Sequence, residues 1–313
     1  MILSVDIGGT AVKLGLVDRA GVIHARHEAS VCFDQYATPL LTTVLRACRA
    51  FLEREQADVE GVGVSATGQI DEHTGVVIGT NGKFPNYEGA PIRQELERLL
   101  GVPVHVLNDA NAAVLGECFA GAGRGLRHVL MLTLGTGVGG GMVLNGQLYS
   151  GARGIAGELG HFTLYQDGVP CPCGKRGCLE SYAATTALLR LAQEATGEQG
   201  LTGRAIFERV AAGDAALTAV LNRWLDDVAA GITGLVHVFN PEAVLIGGGV
   251  SAQETLLLQP LRERVLAGVM PRFAEGLQIR RAALGNDAGL IGAAKFFMDR
   301  QQAGKAEARR STP

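Results

Sequence analysis

Apolar positions open the chain as a strand. Ile2–Ile7 is apolar up to a break at Gly8-Gly9, Val12–Val17 resumes the strand, "DRAG" turns, and Val22–His27 continues it. This pattern predicts a β-meander. The period then becomes helical. Pro39–Arg54 carries Leu40, Leu41, Val44, Leu45 and Leu52 at the spacing of one helix face. A short strand follows at Val59–Ser65, then an amphipathic helix at Ala90–Leu100, then a strand at Val104–Leu107 that runs into "NDANAAVLGE". Farther along, helical periods span Ala183–Glu194, Gly203–Ala212 and Ala215–His237. A buried strand is expected in "AVLIGGG", residues 243–249, followed by a helix from Thr255 to Leu266 and a last helix in "DAGLIGAAKFF". From Gln301 to Pro313 the chain is polar and is expected to be disordered.

The opening pattern returns. "ILSVDIGGTAVKLGLVDRAG" from Ile2 aligns with "VLMLTLGTGVGGGMVLNGQL" from Val129, with Asp6 on Thr133, Gly8 on Gly135, Leu16 on Val143 and Asp18 on Asn145. Both copies read strand, glycine turn, strand, polar turn, which indicates an internal duplication. Two strand-rich starts, each followed by crossover helices, indicate an α/β protein of two duplicated domains with an interdomain cleft, where small ligands usually sit. The boundaries expected are a small domain over 1–115, completed by a C-terminal helix at about 288–300, and a larger one over 116–287.

Composition narrows the function. The 313 residues are 47% hydrophobic, enough for packed cores without cross-links. A net charge of −3 and a pI of about 6.2, with no basic stripe, argue against a nucleic-acid partner. No run of 18 apolar residues predicts a membrane span, and "MILSVDIGGT" lacks the basic and apolar regions of a signal peptide. Cys32, Cys48 and Cys118 are scattered singly, so a cytoplasmic, reducing location is expected. Glycine stands out at 44 residues, about twice the usual ~7%. The excess gathers in "DIGGT", "LGTGVGGG", "GARGIAGELGH" and "IGGGV", where backbone can approach a ligand rich in oxygens.

Each cluster has a chemical and a structural reading. In "DIGGT" the backbone of Gly8 and Gly9 and the hydroxyl of Thr10 can face a phosphate, and Asp6 can hold Mg²⁺ directly or through water. The same turn is also an ordinary tight hairpin. Its second copy, Gly135-Thr136-Gly137, would grip the same polyphosphate, and Gly247, Gly248 and Gly249 would lie against the adenosine. Asn108-Asp109 ends a strand, where a carboxylate can take a proton from an attacking hydroxyl. Asp and Asn are equally at home there as helix N-caps.

The last constellation holds half of the six cysteines. His161, Cys171, Cys173 and Cys178 follow the spacing H-x9-C-x-C-x4-C, with Gly and Pro between ligands. One imidazole and three thiols suit a closed, structural, tetrahedral Zn²⁺ site. Glu158 and Glu180 flank that loop, so the metal would set two carboxylates in place. The phosphate turns lie elsewhere in the sequence, and loss of the metal is therefore expected to spare nucleotide binding.

Taken in order, "DIGGT", "NDANAA", "LGTGVGGG", "GELGH" and "CPCGKRGCLE" closely resemble the ROK family (repressor, open reading frame, kinase), over roughly residues 1 to 298. The resemblance implies an actin-like, ribonuclease-H-like fold and ATP-dependent phosphorylation of a sugar hydroxyl, usually O6. It implies Asp109 as catalytic base and Asn108, Glu158, His161 and Glu180 as sugar ligands, with His161 touching sugar through one ring nitrogen and zinc through the other. ATP with Mg²⁺ would serve as donor, and the two domains would close on the sugar. Asn81 is a further candidate sugar contact. The family also contains repressors with a helix-turn-helix ahead of "DIGGT"; with Asp6 so near the start of this sequence, a kinase is expected rather than a repressor. Glucose is the acceptor expected. β-Glucosides and N-acetylmannosamine are the alternatives, because "GTNGKFPNYEGAPI" replaces the Asn-Leu…Trp stretch of many glucokinases of the family. Sugar and ATP are the expected partners, without nucleic acid or membrane, in a homodimer or homotetramer.

Overall fold

The computed structural model describes residues 1–32, 34–80 and 84–310, and the chain divides into two compact units. The first comprises Met1–Gly125, Leu148–Ala156 and Asn286–Pro313; the second comprises Leu126–Gln147 and Gly157–Gly285.

The first unit begins with β1 (Ile2–Ile7), β2 (Ala11–Val17) and β3 (Ile23–Ser30), an antiparallel meander. Then come α1 (Leu40–Glu55), β4 (Gly61–Ala66), a small hairpin of β5 (Gln69–Asp71) and β6 (Val76–Gly79), α2 (Ile92–Leu100), β7 (Val104–Asn108) and α3 (Asp109–Ala120). The sheet order is β3-β2-β1-β4-β7, with β4 parallel to both β1 and β7. Burial follows the sequence pattern. Edge strand β3 alternates between half-buried and exposed positions, whereas every residue of β4 is buried. Helix α1 buries Leu40, Val44, Cys48 and Phe51, a stripe at three- and four-residue intervals. Fully burying each such Leu, Val or Phe contributes about 1.5–3 kcal/mol.

The second unit repeats the plan. β8 (Val129–Leu134) and β9 (Val138–Leu144) form its hairpin, continued at the edge by β10 (Gln147–Leu148). Helices α4 (Glu180–Ala183), α5 (Thr185–Thr196), α6 (Gly203–Ala211) and α7 (Ala215–Phe239) lead to β11 (Ala243–Gly247). Then come α8 (Gln259–Gly268), α9 (Pro271–Ala274) and β12 (Gln278–Arg281), before α10 (Ala288–Arg310) returns to the first unit. The sheet order, β10-β9-β8-β11-β12, mirrors the first. The duplication is exact in the limits of the two hairpin strands, β1 with β8 and β2 with β9, but not in the turn. Ile7 pairs with Val12 across the first turn, whereas Leu134 pairs with Val138 across the second, which is one residue shorter.

Helix α10 is held by glycine. A Cβ built at Gly292 would lie 1.8 Å from the carbonyl oxygen of Ala112 on α3, and one at Gly116 would lie 2.3 Å from that of Ala288. Gly63 on β4 likewise faces the carbonyl of Ala293 at 2.1 Å. Only residues without a Cβ allow backbones to approach this closely.

Several expectations are corrected. The tail from Gln301, expected to be disordered, continues α10 to Arg310, because Gln, Ala, Lys, Glu and Arg are strong helix formers. The first unit runs to Gly125 rather than 115, because α3 packs along α10, and it recovers Leu148–Ala156 as well. The helix expected at Thr255–Leu266 is a π-helical turn, Glu254–Leu258, followed by α8. Pro260, which lacks an N–H, sits at the start of α8. The β5–β6 hairpin and β12 had no alternating signal long enough to announce them. Among the described residues, no helix is long and apolar enough to cross a membrane.

Candidate active site

In the first unit, the glycine turn between β1 and β2 is braced from several sides. Gly8 N–H donates to Ala11 O at 3.0 Å. The Tyr36 hydroxyl donates to Gly9 O, and a Cβ at Gly9 would lie 2.9 Å from the Phe84 ring. Thr10 is exposed at the tip. Asp6, at the end of β1, accepts a 2.7 Å hydrogen bond from Ser65 Oγ of β4 and lies 3.9 Å from Lys13 Nζ. Burial raises its pKa above the ordinary carboxylate range, against the lowering effects of Ser65 and Lys13. Gly289, in the first turn of α10, leaves room for this carboxylate, since a Cβ there would meet Asp6 Oδ1 at 2.9 Å. The sequence reading passed over Lys13 and Tyr36. Lys13 could have been found, because it pairs directly with Asp6 across β1 and β2.

At the end of β7 the cap and the carboxylate separate. Asn108 is the N-cap of α3. Its Oδ1 accepts the N–H groups of Ala110 and Asn111, at 2.9 and 3.2 Å, and its Nδ2 donates to Gly68 O at 2.9 Å. Asp109 is the first helical residue and accepts from Ala110 N–H at 2.9 Å. The cap role open to both residues therefore belongs to Asn108. Negative charge at Asp109 is also favoured by the helix N-terminus. Its charge, second to burial, raises the pKa of the fully buried Tyr87 hydroxyl. Asn111, buried two positions beyond Asp109, was not singled out from the sequence. Asn81 lies outside the described residues.

In the second unit, Gly135-Thr136-Gly137 forms the turn between β8 and β9, closed by Gly135 N–H to Gly137 O at 3.0 Å. Nothing lies within 4 Å of a Cβ built at Gly135. A cavity of about 320 Å³ opens beside it, lined by Gly135, Thr136, Thr185, Thr186, Gly249 and Val250 among others. That volume falls within the ~300–1,000 Å³ of small-molecule sites. Of the three glycines at the end of β11, Gly247, Gly248 and Gly249, only Gly249 lines it. Gly247 packs on Met131 and Thr133, and Gly248 brings β11 against the carbonyl of Leu134, with φ at +91°. Their absent side chains serve packing.

The four expected metal ligands come together. One donor atom from each of His161, Cys171, Cys173 and Cys178 lies within 4.8 Å of the others. Cys171 Sγ is 3.6 Å from His161 Nδ1, and Cys173 Sγ is 3.6 Å from Cys178 Sγ. A tetrahedron with Zn–S of about 2.3 Å requires ligand separations of about 3.8 Å, so this donor set fits Zn²⁺. Burial, together with hydrogen bonds that its thiol donates to Cys173 and Cys171, holds the Cys178 thiol protonated above its ordinary range, and a metal would displace its proton. His161 turns its other nitrogen, Nε2, toward Glu158, at 3.9 Å. Glu158 is exposed. Glu180, the first residue of α4, is placed differently from Glu158. Its Oε2 accepts Val138 N–H at 2.9 Å, and its Oε1 lies 3.8 Å from Cys171 Sγ.

Comparison with known proteins adds to this geometry. The ROK family model matches residues 2–300. A glucokinase from Thermotoga maritima is 35% identical over 312 residues, covering 96% of this chain and 98% of that one. Among solved structures, a ROK family glucokinase from Streptomyces griseus in complex with glucose and AMPPNP is 34% identical, with a TM-score of 0.77 over 94% of this chain and 98% of that one. A ROK hexokinase from Thermus thermophilus is 33% identical, with a TM-score of 0.82 over 96% and 99%. With duplicated hairpins, a His/Cys₃ cluster and a match along nearly its whole length, this chain belongs to the ROK family.

Proposed function

We infer that the protein is an ATP-dependent sugar kinase whose acceptor is glucose, phosphorylated at O6. The observation that carries this reading is the chain-long likeness to a ROK glucokinase crystallised with both glucose and an ATP analogue. The doubled glycine hairpins and the cavity beside Thr136 support the nucleotide half of the reaction.

In this reading Asp109 takes the proton of the sugar hydroxyl as it attacks the γ-phosphate. Asn108 sets the register of Asp109 through the cap, and its amide carries a second hydrogen for the sugar. Glu158, His161 through Nε2, and Glu180 contribute the remaining sugar contacts. The N–H groups and hydroxyls of Gly8-Gly9-Thr10 and Gly135-Thr136-Gly137 receive phosphate oxygens. Phosphoryl transfer asks mainly for such positioning and charge neutralisation. Asp6 would hold Mg²⁺, which neutralises phosphate charge. His161, Cys171, Cys173 and Cys178 would hold Zn²⁺ as a structural cross-link. A homodimer or homotetramer in the cytoplasm belongs to the same proposal.

β-Glucosides and N-acetylmannosamine compete as acceptors because "GTNGKFPNYEGAPI", 79–92, stands where many glucokinases of the family carry their Asn-Leu…Trp stretch. A coupled ADP-release assay with ATP and Mg²⁺ over a panel of sugars tests the reading. Glucose should give the highest kcat/KM. Turnover of none of the sugars would replace the kinase with a sugar-sensing protein.

A further inference from the structure

The metal loop and the phosphate turn are far apart in sequence and joined in space. A single stretch, 178–186, supplies both the last metal ligand and three contacts to the β8–β9 turn. Cys178 begins it. Two residues on, Glu180 Oε2 accepts the N–H of Val138, the residue that follows the turn, at 2.9 Å. Thr185 N–H donates to Gly135 O at 2.8 Å, and Thr186 Oγ1 donates to Thr136 O at 2.9 Å. Between them, the carbonyl of Ala184 receives the indole N–H of the buried Trp224 of α7 at 3.1 Å. The turn cannot drift from Glu180 without losing this grip, and it leaves no slack, since a Cβ at Gly137 would lie 2.3 Å from the Glu180 carboxylate. The other carboxylate oxygen faces the Cys171 sulfur at 3.8 Å.

We propose that Glu180 is a positioning residue that couples the His161/Cys171/Cys173/Cys178 metal loop to the nucleotide-binding turn Gly135–Gly137, so that metal occupancy sets nucleotide affinity. This rests on the assignment of that turn to phosphate binding. It replaces the expectation that metal loss spares ATP. A bound metal fixes Cys171 and Cys178 on either side of the loop, which holds the Glu180 carboxylate against Val138. Released from the metal, the 171–180 segment gains freedom, and the turn must be ordered when nucleotide binds. Part of the binding free energy is then spent on that ordering.

The test is calorimetric titration of a non-hydrolysable ATP analogue with Mg²⁺, without sugar. It compares the zinc-loaded protein, Cys173→Ser, Glu180→Ala and Glu180→Gln. Glu180→Ala removes the acceptor for Val138 N–H and should weaken the analogue about tenfold, in line with losing a hydrogen bond to a charged group. Glu180→Gln retains an acceptor oxygen and should stay within about threefold of the native Kd, whatever happens to its sugar affinity. Cys173→Ser should weaken the analogue by about the same factor as Glu180→Ala, and the pair Cys173→Ser/Glu180→Ala should add little more, because both changes act on one link. Native affinity in Cys173→Ser or in Glu180→Ala overturns the coupling. Failure of the zinc-loaded native protein to bind the analogue overturns the nucleotide assignment itself, and the two failures are thereby distinguished.

Discussion

At the scale of single residues, Asn108 and Asp109 show how adjacent polar side chains divide the labour. Either could cap α3, and the sequence left that open. The cap geometry goes to Asn108, whose carbonyl oxygen takes two amide hydrogens and whose amide is tied to Gly68. Asp109 is thus one position inside the helix, with its charge at the positive end of the helix dipole. In Asp109→Asn the shape is kept and the proton acceptor lost, so kcat should fall by at least the ~10²-fold typical of a general base, with a smaller change in sugar affinity. Steady-state kinetics with glucose checks this. A variant that keeps most of its turnover would move the base elsewhere. Spacing was enough to identify the His161 and cysteine cluster, since ligand types and loop length are themselves the signal. Nothing in the spacing said that Glu180 faces Val138 while Glu158 stays exposed, because that depends on how the loop folds back onto β9.

Among the elements, α10 joins the first unit by backbone contact with α3 and β4 at Gly292, Gly116 and Gly63. Adding a methyl at Gly292 forces a clash with a carbonyl that cannot move aside without unwinding α3. Gly292→Ala should therefore destabilise the protein by about 1–3 kcal/mol, seen as a lower midpoint in thermal unfolding. Gly304→Ala, on the same helix with nothing within 4 Å, should be neutral or slightly stabilising. A second element-level effect concerns His105 on β7, whose ring lies 6.4 and 5.8 Å from the rings of Phe296 and Phe297 on α10. Burial, then the charges of Arg93 and Arg300, pushes its pKa down to about 4. The unfolded chain takes up this proton near pH 6.5. Between about pH 6.5 and 4 the unfolded state thus binds more protons at this site, and stability is lost as pH falls. The melting temperature should drop less across that window in His105→Leu than in the native protein. Equal drops would remove His105 from the acid response.

For the molecule as a whole, the His161/Cys171/Cys173/Cys178 cluster gives the most direct measurement. Purified protein should carry about one Zn²⁺ per chain, and its three cluster thiols should resist a thiol reagent until a chelator is added. Metal-free native protein with full activity would make the cluster incidental. Cys173→Ser should still fold, because each unit has its own apolar core and its own sheet, with sequence left over for neither to depend on one small site. Much of this was legible beforehand. The strands β1 and β8, and β2 and β9, fall where the repeat placed them, because strand periodicity and glycine turns are local properties of a few neighbouring residues. The gathering of His161 with Cys171, Cys173 and Cys178 was legible for the same reason. The close packing of α10 on α3 and β4, the return of Leu148–Ala156 to the first unit and the hold of 178–186 on the β8–β9 turn were not. They depend on contacts between residues tens to hundreds of positions apart, whose geometry no local pattern encodes. The sequence by itself determined the repeated elements and the chemical groups available; tertiary packing decided which backbone each group would hold.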